Sequence, residues 1–286
     1  MRLQKERDHS LGFLDERGFY IKDMGTRKKN ENGGMPKMYS FKETDQRPYP
    51  LPRRPWVMTQ VWNDLLFLHY SIDPDLLRSH VPRELEIDTF KGEAWISIIP
   101  LKITGSRVRK TPALPVLSSY IELNVRTYVV YKGVPGIYFF SLDANSLANV
   151  LGARGVTALP YKLAVMQFKQ KDNEFYMKSE RVGAQDAYQF EVSYVREEKM
   201  TETDQDTLDF WLLERYCMYS YYGKYILRGD IHHDAWKVSG VSATIHKNTM
   251  LSFLPDEQTL SEPRLMHYAR MKRFLFYPLK KVGEAL

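Results

Sequence analysis

One cysteine, Cys217, is all that the 286 residues contain. An internal disulfide and a multi-cysteine metal site are thereby excluded, and the count fits a reducing, cytoplasmic setting. No apolar run approaches the ~18 residues of a membrane span. Charges run through the N-terminal stretch, which lacks the apolar core of a signal peptide. Also missing are a phosphate-binding glycine loop, a dinucleotide fingerprint and a Gly-x-Ser-x-Gly nucleophile motif, so no cofactor is expected. There is no internal repeat.

The formal charge of +6 is unevenly spread. Residues 1–55 hold 13 Lys and Arg against 8 Asp and Glu, a net +5, which leaves about +1 for everything after Pro55. A nucleic-acid surface is a basic stripe on the folded domain; a near-neutral body argues against one. What the chain does have is 43% apolar and 13% aromatic residues, enough for a large core in one big domain or two small ones.

Residues 1–55 carry little periodic apolar pattern, a cluster at Arg27-Lys-Lys29 and a proline-rich end, Arg47-Pro-Tyr-Pro-Leu-Pro-Arg-Arg-Pro55. They read as a basic tail ahead of a single domain over 56–286. Gly33-Gly34 shortly precedes Met38. Two glycine codons can spell a purine-rich ribosome-binding site, so in a bacterial source the expected natural start is Met38, with 1–37 upstream of it.

From Trp56 the pattern becomes regular. Trp62–Tyr70 predicts a strand, and Asp73-Pro74 caps and opens a short helix that Pro82 stops. Leu85–Asp88 and Ala94–Ile103 read as strands. Ser119–Val130 alternates cleanly, with Ile121, Leu123, Val125 and Val129 on one face and Tyr120, Glu122, Asn124, Arg126 and Tyr128 on the other. Ile137–Leu142, apolar on both faces, predicts a central strand. Asp143 is placed to cap a helix reaching Arg154, with Gly155 past its end.

Pro160–Phe168 and Glu174–Lys178 predict a hairpin, and Tyr188–Tyr194 another strand. Helical spacing runs over Thr207–Tyr219. Ile231–Thr244 and Leu265–Phe276 complete a strand-rich C-terminal part. Many strands and few helices give a β-rich α+β chain, an antiparallel barrel or sandwich.

Several short runs, in order, resemble the YqjF-like family of conserved bacterial proteins of unknown function, which groups with the acetoacetate decarboxylase-like fold. They are Trp62-Asn-Asp-Leu-Leu-Phe-Leu-His69, Val81-Pro82 with Leu85, Glu122-Leu-Asn-Val-Arg-Thr-Tyr128, Pro135-Gly136 with Phe140-Ser-Leu-Asp143, Glu214-Arg-Tyr216, and His233 with Trp236. Similarity to the decarboxylases themselves is weaker and collinear: Tyr70–Pro82, Leu142-Asp143 and His233-Asp-Ala-Trp236 resemble runs of theirs. The resemblance implies an acetoacetate decarboxylase-like antiparallel β-barrel with peripheral helices.

In those decarboxylases a segment reads Gly-Arg-Glu, a few residues, then Pro-Lys-Lys, the first lysine forming the Schiff base. The matching run here, Gly152-Ala-Arg-Gly-Val-Thr-Ala-Leu-Pro-Tyr-Lys162, puts Tyr161 at that position and Lys162 on the second lysine. A phenol cannot condense with a ketone. Glu122 falls on a pocket glutamate, and Asn63 falls near the active-site arginine, whose charge is therefore missing too.

Candidate site residues follow. Glu122, Tyr161 and Lys162 are the candidates for chemistry: Glu122 as acid or base, Tyr161 as hydrogen-bond donor to a carbonyl or oxyanion, Lys162 as an amine. On a strand Lys162 points away from Tyr161, which favours a lysine on the other face. Arg126, Arg154, His69, Asn63 and Tyr120 are candidate ligand contacts, arginine suiting a carboxylate bidentately. Each has a plain structural alternative: an outer solvent face for the polar stripe, a helix-end charge for Arg154, a hydrogen-bonded core histidine for His69. Glu214-Arg-Tyr216 reads as a buried network. His232-His233 lacks a spaced third ligand, so no metal is expected.

The functional expectation is a protein binding a small organic acid, ketone or aromatic compound. The alternatives are a lyase-like enzyme using Lys162 or Glu122 with Tyr161, and a non-catalytic stress-response or interaction protein. Homo-oligomerisation suits the fold, though no sequence feature specifies it.

Overall fold

Residues 44–112, 118–184, 187–254 and 262–285 are described by the structure, a computed structural model. Fifteen strands and three short helices account for most of them. In chain order they are β1 (Met58–Ile72), α1 (Pro74–Arg78), β2 (Glu86–Ile87), β3 (Ala94–Val108), β4 (Tyr120–Tyr131), β5 (Val134–Ala144), α2 (Leu147–Thr157), β6 (Tyr161–Lys171), β7 (Glu174–Arg181) and β8 (Gln189–Arg196). There follow β9 (Thr201–Glu202), α3 (Leu208–Leu213), β10 (Cys217–Tyr222), β11 (Tyr225–His232), β12 (Lys237–Val238), β13 (Val241–Asn248), β14 (Leu265–Phe276) and β15 (Lys280–Glu284).

Seven strands form a circuit of pairings that returns on itself: β5, β10, β11, β14, β1, β3, β4 and back to β5. A closed ring with an odd number of strands cannot be antiparallel at every seam. The expectation of a wholly antiparallel sheet fails for that reason, and the exception is β5–β10, which is parallel. Gly136 sits at that seam, where a Cβ would stand 2.7 Å from Cys217 Sγ and 2.9 Å from Cys217 O. Only glycine lets the two strands approach so closely.

Tyr161–Leu163 of β6 pair parallel with β5, after which β6 diverges and pairs with β7; β7 pairs with β8, and β8 with β13, all antiparallel. Phe175, Met177, Phe190, Val192 and Tyr194 of this second sheet pack on Leu66, Leu68, Ile96, Ile98, Leu123 and Val125. Each such buried side chain contributes about 1.5–3 kcal/mol. β4 is therefore covered on both sides: its apolar face meets the second sheet, and its polar face looks into the ring of seven strands.

Asp64 adopts a left-handed backbone (φ 51°) where β1 shifts register against β3. This bulge turns Leu65 and Phe67 to the same core as Trp62, while Leu66, Leu68 and Tyr70 join the other core. Aspartate tolerates that conformation, and here its carboxylate accepts from the Tyr268 hydroxyl (2.8 Å) and pairs with Lys102 (2.8 Å).

The Asp73 cap and Pro74 start of α1 are as expected. The second helix is not. Asp143 lies inside β5, buried, holding Arg181 through both carboxylate oxygens at 2.8–3.2 Å. Ser146 is the cap, and the helix runs through Gly155 to Thr157. The helical spacing over Thr207–Tyr219 is met only in part: Thr207 caps α3, but that helix stops at Leu213, and Cys217–Tyr222 is a strand. In the proline-rich stretch read as tail, Arg47 is buried: its guanidinium lies 4.3 Å from the Tyr216 ring centroid and Nη1 donates to Ile231 O at 2.9 Å.

Candidate functional site

Glu122, Asn124, Arg126 and Tyr128 of β4 point inward beside Trp95, Ser97, Ile99 and Leu101 of β3; the register sets Leu101 against Glu122 and Ser97 against Arg126. Tyr161 enters from the first residue of β6, opposite Leu142 of β5. Its hydroxyl donates to Glu122 Oε2 at 3.1 Å. The polar chain continues outward from there. The Tyr120 phenol neighbours Tyr161, Gln60 Nε2 donates to the Tyr120 hydroxyl (3.0 Å), and Trp62 Nε1 donates to Gln60 Oε1 (2.9 Å).

Burial pushes the Glu122 carboxyl up to about 7; the Tyr161 hydrogen bond, and secondarily Asn124, hold it from rising further. Asn124 Nδ2 stands near that carboxylate without reaching normal hydrogen-bond geometry, and Asn124 Oδ1 has no partner among the described residues. Burial likewise raises the Tyr161 phenol, helped by the Glu122 charge. At neutral pH the phenol thus keeps its proton while the carboxyl stands near its titration midpoint.

A second polar group sits at the other end of the same wall. His69 Nδ1 lies 2.7 Å from Ser97 Oγ, which lies 2.6 Å from the Tyr128 hydroxyl. Burial, then the neighbouring His267 and Arg126, keep His69 well below the usual imidazole range, so it is neutral. The His69 and His267 rings meet edge to face at 5.3 Å, and His267 Nε2 lies 3.1 Å from Asp209. Arg126 Nη2 donates to Leu212 O at 3.3 Å, at the C-terminal end of α3.

Of the residues singled out in the sequence, the structure brings Glu122, Tyr161, Tyr120, Arg126 and His69 onto inward-facing positions. It does not bring Lys162 there. Lys162 is exposed, one residue along from Tyr161 and so on the opposite side of the strand, which rules it out as an amine for this interior. Asn63 is also misplaced: it donates to Lys102 O (3.3 Å) and Thr104 Oγ1 (2.9 Å), next in register to the exposed Met271. The Arg154 side chain lies outside the described residues.

Glu214-Arg-Tyr216 forms a buried network. Glu214 accepts from the Tyr216 hydroxyl and from Trp236 N (2.8 Å), and Arg215 pairs with Asp88 at 2.6 Å. His232 Nδ1 lies 3.2 Å from Arg47 Nη1 and His233 Nδ1 lies 2.9 Å from Asp234 O, with burial lowering His233 to about 3. Gln60, Ser97 and His267 escaped the sequence reading, because only strand register shows that they share the interior. A shallow open cleft of about 450 Å³ between β7, β8 and β13, near Lys169, Tyr176 and Ser193, lies on the second sheet and shares none of these side chains.

Residues 59–272 match the family model DUF2071, described as "Uncharacterized conserved protein (COG2071)". The chain belongs to this family. It is 41% identical over 236 residues to "Uncharacterized protein YqjF" of Bacillus subtilis strain 168, covering 82% of this chain and 97% of that one. Among solved structures, acetoacetate decarboxylase from Legionella pneumophila superposes with a TM-score of 0.56 at 16% identity, over 84% of this chain and 94% of its own. The enduracididine biosynthesis enzyme MppR, complexed with pyruvate, gives 0.55 at 12% identity, over 81% and 92%. The DUF2071 chain therefore shares the acetoacetate decarboxylase-like fold, and identities this low speak to fold alone.

Proposed function

We propose that this protein binds a small carbonyl-containing organic acid, ketone or aromatic compound inside the barrel formed by the seven-strand circuit. The observation that carries the reading is the buried Glu122 carboxyl, raised to about 7 and addressed by the Tyr161 hydroxyl at 3.1 Å. A protonated carboxyl and a phenol are hydrogen-bond donors suited to a carbonyl oxygen, and in a water-poor interior such bonds are strong. Neighbouring folds are consistent with this: one is an acetoacetate decarboxylase and another was solved with pyruvate.

A lyase-like acid–base enzyme is the second reading, favoured by the same carboxyl. A group that titrates near neutrality both gives and takes a proton efficiently. Imine chemistry is not part of it, since the position of the reactive lysine is held by Tyr161 and Lys162 is exposed. Soluble and cytoplasmic residence fits the single cysteine and belongs to the same proposal; no helix among the described residues is long and apolar enough to cross a membrane.

Thermal-shift screening against organic acids, ketones and aromatic metabolites tests the reading, because a ligand selective for the native state raises the midpoint. The expected result is a hit lost in both Glu122→Gln and Tyr161→Phe. A hit that survives both substitutions would place binding elsewhere. Borohydride treatment with a β-keto acid should leave no adduct on Lys162.

A further inference from the structure

The inward wall carries two polar ends. Around Arg126, three buried nitrogens lack a partner among the described residues: Arg126 Nε, His69 Nε2 and, two positions before Ser97 on β3, Trp95 Nε1. All three residues are more than nine-tenths buried. The neutral His69 ring has two tautomers; the one in which Ser97 donates to Nδ1 carries its proton on Nε2, and there His69 adds a donor rather than a second cation.

Charge is unbalanced at the same place. Arg126 enters no ion pair among the described residues, and its one hydrogen bond goes to the Leu212 carbonyl. The neighbouring Arg215 uses Asp88, and His267 uses Asp209. A buried guanidinium without an anion is costly, and that cost is recovered when an anion arrives with it in contact.

We infer that Arg126 and His69 form an anion subsite for a ligand carboxylate, at the far end of the wall from Glu122 and Tyr161. The inference rests on the small-molecule reading above and narrows its substrate class. A monoanion fits better than a phosphate. The donors are one planar guanidinium and one imidazole, and α3 presents its carbonyl end here, the wrong pole of a helix for a dianion.

Spacing sets the ligand's length. Glu122 and Arg126 are four residues apart on one strand, about 13 Å between Cα atoms. Arg126 also leans away from Glu122, toward Leu212 and the Tyr128 ring, whose centroid is 5.6 Å from its Cζ. Pyruvate or acetoacetate cannot touch both ends. The ligand class is a carboxylic acid whose carbonyl or hydroxyl lies at the other end of an apolar spacer, which Trp62, Phe67, Ile99, Phe139 and Leu142 would flank.

Calorimetric titration of the full chain with 4-acetylbenzoate, its uncharged analogue 4-acetylbenzamide, straight-chain oxo acids of increasing length, and pyruvate tests this. The expected result is a preference of about tenfold or more for acid over amide, and for the longer acids over pyruvate, with the acid preference lost in Arg126→Gln and reduced in His69→Gln. Equal binding of acid and amide to the unaltered chain, which needs no variant to fold, overturns the subsite while leaving the Glu122–Tyr161 reading standing. So does an acid preference that persists in a folded Arg126→Gln. Failure of every compound to bind overturns both readings.

Discussion

The Tyr161 hydroxyl donates to Glu122 Oε2 across 3.1 Å, joining the first residue of β6 to the third of β4 over the intervening strand β5. In the decarboxylases that this chain resembles, an amine would stand where the phenol does. The exchange replaces a nucleophile with a hydrogen-bond donor and leaves a carboxyl that titrates near neutrality.

That carboxyl makes stability depend on pH. Its folded pKa of about 7 lies above the unfolded 4.5, so the stabilisation tied to the protonated form is complete below about 4.5 and is lost as pH rises through 7. The loss is on the order of 3 kcal/mol. In Glu122→Gln the fall between these pH values should flatten, leaving the variant as stable as the parent or more so at about pH 8. Urea unfolding across the range measures it; an unchanged profile would falsify the assignment.

Asp143→Asn removes the buried charge that holds Arg181 by both its oxygens, and leaves a half-buried guanidinium facing an amide. The expected cost is about 3 kcal/mol in chemical denaturation. Because the pair pins the start of β6 through β7, Tyr161 fluorescence or NMR signals should shift as well.

Gly136→Ala places a methyl into the β5–β10 seam, 2.7 Å from Cys217 Sγ and 2.9 Å from backbone. Backbone cannot rotate aside as a side chain can. A loss of about 2 kcal/mol or more is expected, with greater reactivity of Cys217 toward thiol reagents as the seam opens.

Arg47→Ala should lower the thermal midpoint despite its place in a proline-rich basic stretch. It removes a guanidinium stacked on Tyr216 and bonded to Ile231 O and His232 Nδ1. About 1–3 kcal/mol is expected by differential scanning calorimetry, against nearly nothing for the exposed Arg53→Ala.

Much of this was legible in the sequence wherever local pattern decides structure. The two-residue alternation of β4 marked Glu122 and Arg126 as neighbours on one polar face, and adjacency alone separated Lys162 from Tyr161. What could not be read locally were long-range partners. Asp143 looks like a helix cap until Arg181, 38 residues on, is seen to claim it. Asn63 drew attention by alignment, yet its side chain turns to the outer face beside the Asp64 bulge. Alternation also cannot say which face of a strand is inside when both are covered, as β4 is. His69, Ser97 and Arg126 meet only through the register of three strands drawn from distant parts of the chain.

The infrared carbonyl band of a protonated carboxyl, identified by its absence in Glu122→Gln and followed from about pH 5 to about pH 9, tests the central claim most directly. The account predicts a band present in mild acid that is half lost near pH 7 and that moves in Tyr161→Phe. A Glu122 already ionised at the acid end of that range, or one indifferent to the loss of the phenol, would contradict it.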